Sequence, residues 1–183
     1  MKSLQNLVLS DTDKRLRQSC EKLNVNNISS SDQELIDHMM EYIDACYDDK
    51  DEELGIKAGI AIAGPQVGLM KRVIYIHFKE NDIEQKYLLA NPEITAHSVQ
   101  IACLGDGEGC LSVDEKKNGL VPRYKRVIVK AYDLLNKKPV TIDNETILSI
   151  CLQHEIDHLD GILYYDHINK KDPNFKKQEW IIY

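Results

Sequence analysis

The stretch Thr146-Ile147-Leu148-Ser149-Ile150-Cys151-Leu152-Gln153-His154-Glu155-Ile156-Asp157-His158-Leu159 decides how the chain is read. Ile147, Ile150, Cys151, His154 and His158 recur at intervals of three and four residues, which puts them on one face of an α-helix. Gly161 follows where such a helix stops. Two imidazoles one turn apart point the same way and can grip one divalent ion. Glu155 follows the first of them, where its carboxylate can face a water on that ion as general base. Asp157 is assigned to the helix surface rather than to the ion. A bare H-E-x-x-H also arises as a solvent-facing helix with two histidines; the apolar neighbours here favour the metal.

Outward from this helix the chain changes character twice. Upstream, the segments Arg72 to Phe78, Lys86 to Ala90, Ser98 to Cys103, Val127 to Tyr132 and Pro139 to Ile142 are short and rich in Val, Ile and Tyr, and read as strands between turns. Further upstream, Ser31-Asp32-Gln33-Glu34 reads as a capping box with Ser31 as N-cap. It opens a helix through Leu35, Ile36, Met39, Met40, Ile43 and Tyr47 to about Asp48. The acidic stretch Asp48 to Glu53 reads as a solvated helix end or loop, and the second half of Leu4 to Leu23 as a short helix. Downstream, Glu179 to Tyr183 reads as a last strand. Helices, then strands, then one helix bearing the chemistry favour an α+β fold, with mixed or antiparallel strands packed around a central metal-binding helix. Residues 1–183 suit one catalytic domain.

The formal charge of −7 argues against a general nucleic-acid binder, which needs a basic face, so no specific nucleic-acid sequence is expected as a partner. No apolar run approaches the length of a membrane span, and Met1 to Asp13 lacks the layout of a secretory signal. Five cysteines, an odd number, do not suggest a disulfide framework. A reducing cytoplasm is the expected setting.

A catalytic ion needs a third protein ligand and an open position for water. Asp166 and His167 are downstream candidates. Upstream, Gly107-Glu108-Gly109-Cys110-Leu111-Ser112 offers Cys110 between small residues, though a buried inert thiol is the commoner fate of cysteine. A third segment, Gly59-Ile60-Ala61-Ile62-Ala63-Gly64-Pro65-Gln66, is small and tight and ends in an amide. Gln66 could donate to a developing oxyanion.

Together, in this order, the three segments resemble the peptide deformylases, which carry G-x-G-Φ-A-A-x-Q, then E-G-C-L-S, then Q-H-E-x-D-H. The second and third motifs match in full at Glu108 to Ser112 and Gln153 to His158. The first departs twice, with Ala61 for its second glycine and Gly64 for its second alanine. The likeness extends to Asn91-Pro92 and to Gly119-Leu120-Val121-Pro122-Arg123. Chain length, the long segment between the first two motifs and the strand-like tail look like the longer subclass of Gram-positive bacteria and their wall-less relatives.

The resemblance implies a metallo-amidohydrolase that removes the formyl group from the starting methionine of new polypeptides and releases formate. Cys110, His154 and His158 would hold the ion, and Glu155 would act as general acid and base. Gln66 and the Leu111 N–H would hold the oxyanion. Ile60, Ala61 and Gly109 would bind the peptide, with Ile147, Ile150 and Cys151 lining the methionine slot. Ala61 keeps its N–H and C=O but loses access to positive φ. Glu108 would pair with Arg123 to brace the Cys110 loop. Fe²⁺ is the implied ion, with Zn²⁺, Ni²⁺ or Co²⁺ able to replace it. The implied partners are N-formyl-methionyl nascent chains, met at the ribosome near its exit tunnel. The same helix would suit a zinc endopeptidase, and the whole a metal-stabilised binding module. The upstream cysteine motif argues against the first; Glu155 and Gln66, which a structural ion does not need, argue against the second.

Overall fold

The computed structural model describes residues 4–183, so Met1 to Ser3 of the opening stretch lie outside it. Strands β1 (Ala61–Ala63), β2 (Val73–Glu80) and β3 (Ile83–His97) come first. They are followed by β4 (Ile101–Cys103), β5 (Arg123–Tyr124), β6 (Val127–Asp133) and β7 (Lys138–Asn144), and after the last long helix by β8 (Ile181–Ile182). Five of them form an antiparallel sheet in the order β1-β2-β3-β6-β7. A smaller sheet, β5-β4-β8, is mixed, with β4 and β8 parallel. This is the expected α+β architecture. The β2–β3 hairpin closes through Asn81 and Asp82, both at positive φ, as a tight two-residue turn requires.

Every residue of β2 from Val73 to Phe78 is buried, because the sheet is covered on both faces. Ile74 and Ile76 point to one face and meet Leu148, Cys151, Leu152, Ile156 and Leu159 of helix Ile147–Leu159. Val73 and Tyr75 point to the other and meet Ile36, Met39, Tyr42 and Ile43 of the helix Ser30–Tyr47. In chain order these helices are α1 (Ser30–Tyr47), α2 (Asp51–Leu54) and α3 (Ile147–Leu159). No helix among the described residues is long and apolar enough to cross a membrane.

Several expectations are corrected. Helix α1 is capped by Ser29, not Ser31; the Ser29 hydroxyl accepts the Asp32 N–H at 3.1 Å. The second half of Leu4 to Leu23 forms only a single 3₁₀ turn, Lys14–Arg17. Across the whole stretch the apolar residues Leu7, Leu16 and Leu23 are each buried against the body, so tertiary contacts replace a helix of its own. The acidic stretch after α1 contains α2, one turn long. Strand β3 is three times the expected length, and bends through two register shifts, one of them at Asn91-Pro92. Asn91 holds positive φ there, and its side chain bonds the Leu23 N–H and C=O at 2.8 and 2.9 Å, clipping the N-terminal arm to the sheet.

Helix α3 has no cap from its own Thr146 side chain. Instead Glu80, at the end of β2, accepts the Ile147 N–H at 2.8 Å and the Thr146 hydroxyl at 2.6 Å. A carboxylate there satisfies orphan donors and matches the positive end of the helix dipole. The helix ends at Asp160, and Gly161 turns away at φ 75°, where a Cβ would strike the Arg17 backbone.

Gly64 opens the 3₁₀ turn Gly64–Val67 after β1. A Cβ on it would lie 2.7 Å from the Leu69 carbonyl oxygen and 2.8 Å from that of Lys71. The departure from the motif's alanine therefore has a local cause: the chain returns too close for a methyl group. Gly64→Ala should lower stability by roughly 1–3 kcal/mol, as overpacking against backbone does. Urea unfolding checks this, and an unchanged midpoint would mean the 69–71 backbone yields freely.

Candidate active site

Helix α3 is aimed by its own polar residues. The Gln153 amide accepts the Tyr124 N–H at 2.9 Å and donates to the Tyr124 carbonyl at 2.8 Å, pairing helix to β5 like an extra strand residue. One turn of α3 then presents His154 and His158 to the loop that carries Cys110. Cys110 Sγ lies 3.3 Å from His158 Nε2. The ligand atoms of Cys110, His154 and His158 all lie within 4.8 Å of one another. The downstream candidates are engaged elsewhere: His167 bonds Asp157 at 2.7 Å, and Asp166 pairs with Arg17.

A soft thiolate with two imidazoles suits a divalent transition ion. A second observation fits the same group. Glu155 is buried, and its Oε2 has no hydrogen-bond partner, an arrangement that burial makes costly unless solvent or substrate uses that oxygen. Burial pushes the Glu155 carboxyl up to about 7, partly opposed by His154.

The loop is braced from behind. Arg123, 3% exposed, donates to Glu108 at 2.8 and 3.0 Å and also pairs with Asp157. Glu108 accepts from His154 Nδ1 at 2.8 Å. A carboxylate at Nδ1 places the ring proton there and leaves Nε2 free as a ligand atom. Burial raises the Glu108 carboxyl, but hydrogen bonds and charge from Arg123, then His154, outweigh it and hold the group at about 2. Asp157, expected on the helix surface, is half-buried and belongs to this brace through Arg123 and His167.

Gln66 is buried and oriented. Its Oε1 accepts the Ala63 N–H at 2.8 Å, which turns the NH₂ towards Ser112 Oγ at 3.1 Å and Cys110 Sγ at 3.6 Å. A cavity of about 590 Å³ opens beside these groups. Ile60, Ala61, Gln66, Gly109, Cys110, Leu111, Ile147, Ile150, Cys151, His154 and Glu155 all line it. His158 stands behind them against Cys110. Sequence reasoning missed Cys46, Asp49, Asp51, Lys57, Ala58 and Leu104 on the same walls; of these only Lys57 and Ala58, directly before Gly59, stood beside a motif.

Ala61 sits in extended β1, not at positive φ, so its Cβ brings no strain. The strand is the sheet's outer edge. The His77 N–H donates to the Ile60 carbonyl, and Ile62 pairs with Tyr75. In an antiparallel ladder this turns the N–H and C=O of Ala61 away from β2, towards the open edge.

A cysteine sulfur and two imidazole nitrogens gathered beside a buried, unpartnered carboxyl are the pattern of a metal-dependent hydrolase of the H-E-x-x-H kind. Residues 6–174 match the sequence pattern of the family described as polypeptide deformylase. The peptide deformylase of Ureaplasma parvum is 43% identical over 173 residues, covering 94% of this chain and 87% of its own. That of Listeria monocytogenes is 43% identical over 150 residues, covering 81% of each. Among solved structures, a class I type b peptide deformylase of Acinetobacter baumannii superposes with a TM-score of 0.73 at 29% identity, covering 90% of this chain and 99% of that one. The Synechococcus elongatus peptide deformylase in complex with actinonin gives 0.71 at 27% identity, over 90% and 79%. The chain belongs to the polypeptide deformylase family. It removes the N-formyl group from newly made polypeptides, and its family is metal-dependent.

The low value of the Glu108 carboxyl fixes the sign of a pH effect. Folded it titrates at about 2, against 4.5 ordinarily. Its contribution to stability is therefore full above about 4.5 and fades as the pH falls towards 2. In urea unfolding of the metal-free protein, the stability gap between wild type and Glu108→Gln should shrink over that window. A constant gap from pH 5 to 2.5 would contradict the pairing.

Proposed function

We propose that Cys110, His154 and His158 hold a divalent ion, with Fe²⁺ as the working metal and Zn²⁺, Ni²⁺ or Co²⁺ as possible replacements, and that Glu155 is the general acid and base. The observation that carries this is the buried Glu155 oxygen without a partner beside the three gathered ligand atoms. The whole chain acts as one catalytic domain, in the cytoplasm, on nascent chains met near the ribosomal exit tunnel; the substrate's own nature supports that setting.

An ion held there supplies Lewis acidity and makes water nucleophilic near neutral pH, by bringing its pKa from 15.7 towards about 7. Glu155 takes a proton from the attacking water as the water oxygen bonds to the formyl carbon. Gln66 Nε2 and the Leu111 N–H hold the carbonyl oxygen as it gains charge. Glu155 returns the proton to the amine nitrogen as the C–N bond breaks, and formate leaves. Ala61 offers its N–H and C=O to the peptide main chain, next to Ile60 and Gly109. Ile147, Ile150 and Cys151 form the apolar wall for an unbranched methionine side chain.

Release of formate from formyl-methionyl peptides, and none from the unformylated series, is the direct test; cleavage of internal peptide bonds would favour the endopeptidase reading. Cys110→Ala, His154→Ala and His158→Ala should each lose the ion by metal analysis, since three ligands leave no redundancy. Glu155→Gln should keep it while turnover falls roughly 10²–10⁴-fold. Near-normal turnover there would remove Glu155 from its role.

The Fe²⁺ form should lose activity in air with oxygen added to Cys110, because thiolates oxidise far more readily than thiols. The Zn²⁺ form should last longer, as Zn²⁺ has no redox chemistry. Mass spectrometry showing oxidation only at other cysteines, with equal decay for both metals, would overturn this.

A further inference from the structure

We propose that Lys57 is a positioning residue for this reaction, whose ammonium clamps the Cys110–Val113 turn and so aims the Leu111 N–H. The inference rests on the roles given above to Cys110 and Leu111. Lys57 Nζ donates to the Cys110 carbonyl at 2.7 Å and to the Val113 carbonyl at 2.6 Å. These two carbonyls belong to the first and last residues of the turn, which Val113 N–H closes onto Cys110 O at 3.2 Å. Both bonds are charge-assisted, and one ammonium can serve both.

The peptide group between Cys110 and Leu111 is planar and trans, so its C=O and N–H point in opposite directions. Drawing the Cys110 carbonyl towards Lys57 therefore turns the Leu111 N–H the other way. The same bond fixes the main chain from which the Cys110 thiol projects.

Lys57 is itself anchored. Its N–H donates to the Tyr42 hydroxyl at 3.1 Å, and that hydroxyl donates to the Lys57 carbonyl at 3.0 Å. Tyr42 is buried in α1 against the sheet. A rigid chain of contacts thus runs from α1 through Lys57 to the ligand turn, across 53 residues of sequence between Lys57 and Cys110. Lys57 also lines the cavity, which raises the alternative that it touches substrate directly. The two roles separate in the kinetics.

Lys57→Met, Lys57→Arg and Tyr42→Phe would be assayed on a formyl-methionyl tripeptide, and their Co²⁺-loaded forms examined by absorption spectroscopy. Lys57→Met should lower kcat roughly tenfold, the lower end of the cost of losing a group that orients a metal ligand, with KM within about twofold of wild type. Its thiolate-to-Co²⁺ band should shift. Lys57→Arg, which can still bond both carbonyls, should regain most of kcat. Tyr42→Phe keeps the ammonium but frees its backbone, and should show a smaller fall of the same kind; it serves as the test if Lys57→Met does not fold. A raised KM with kcat retained would overturn the proposal in favour of substrate contact. Unchanged kcat and spectrum in Lys57→Met, or in Tyr42→Phe where that variant stands in, would overturn it outright. A wild-type Co²⁺ protein with no thiolate band would instead strike at Cys110 as a ligand.

Discussion

Arg123 is a cation almost wholly withdrawn from water, and the geometry of the site hangs on how its charge is answered. Such a group is tolerable only when its donors are filled and its charge is met. Glu108 and Asp157 do this from two directions, one on the loop before Cys110 and the other on α3 between the two histidines. Neither carboxylate can leave without stranding a buried charge. Loop and helix are therefore held at one spacing by electrostatics, where apolar packing alone would allow sliding. Glu108 passes the constraint on to His154 and sets which ring nitrogen carries the proton. Positioning at this precision is what a metal site requires of its surroundings.

The part of the structure legible in the sequence is the part governed by periodicity. Helix α3 declares itself through apolar residues at 3.6-residue spacing, and α1 through Ile36, Met39 and Ile43 in the same way. His154 and His158 could be named as a pair because i, i+4 residues on a helix leave little freedom, whereas Cys110 on its loop rested on the family resemblance alone. The elements that escaped are those without a period. Strands β1 and β5 are three and two residues long, too short for any alternation to show. The tip of the β2–β3 hairpin, Ile83 to Gln85, is exposed or half-buried with no apolar alternation, and beyond Ala90 the chain is broken by Asn91-Pro92 and a register shift, so only Lys86 to Ala90 of β3 looks like a strand.

Long-range polar partners escaped for a different reason. That Glu80 caps α3 across 67 residues, or that Lys57 reaches Cys110, follows from how the sheet folds and leaves no local mark. Asp157 shows the same thing in reverse. Its helical position suggested a solvated face, yet a buried guanidinium lies opposite it. Charged residues take their meaning from what the fold brings to them, and a pattern along one segment cannot supply that.

The open edge of β1 carries a consequence for breadth of use. Amides are the one feature every polypeptide shares, and an edge of backbone donors and acceptors reads nothing else. On the proposed role of Ala61, a strand of only three residues would engage a short length of its guest, and long pairing that would trap product would be out of reach. On the proposed function, selectivity then comes from the first side chain in the recess lined by Ile147, Ile150 and Cys151. Such a division lets one catalyst serve a whole proteome, indifferent to every side chain beyond the opening residue.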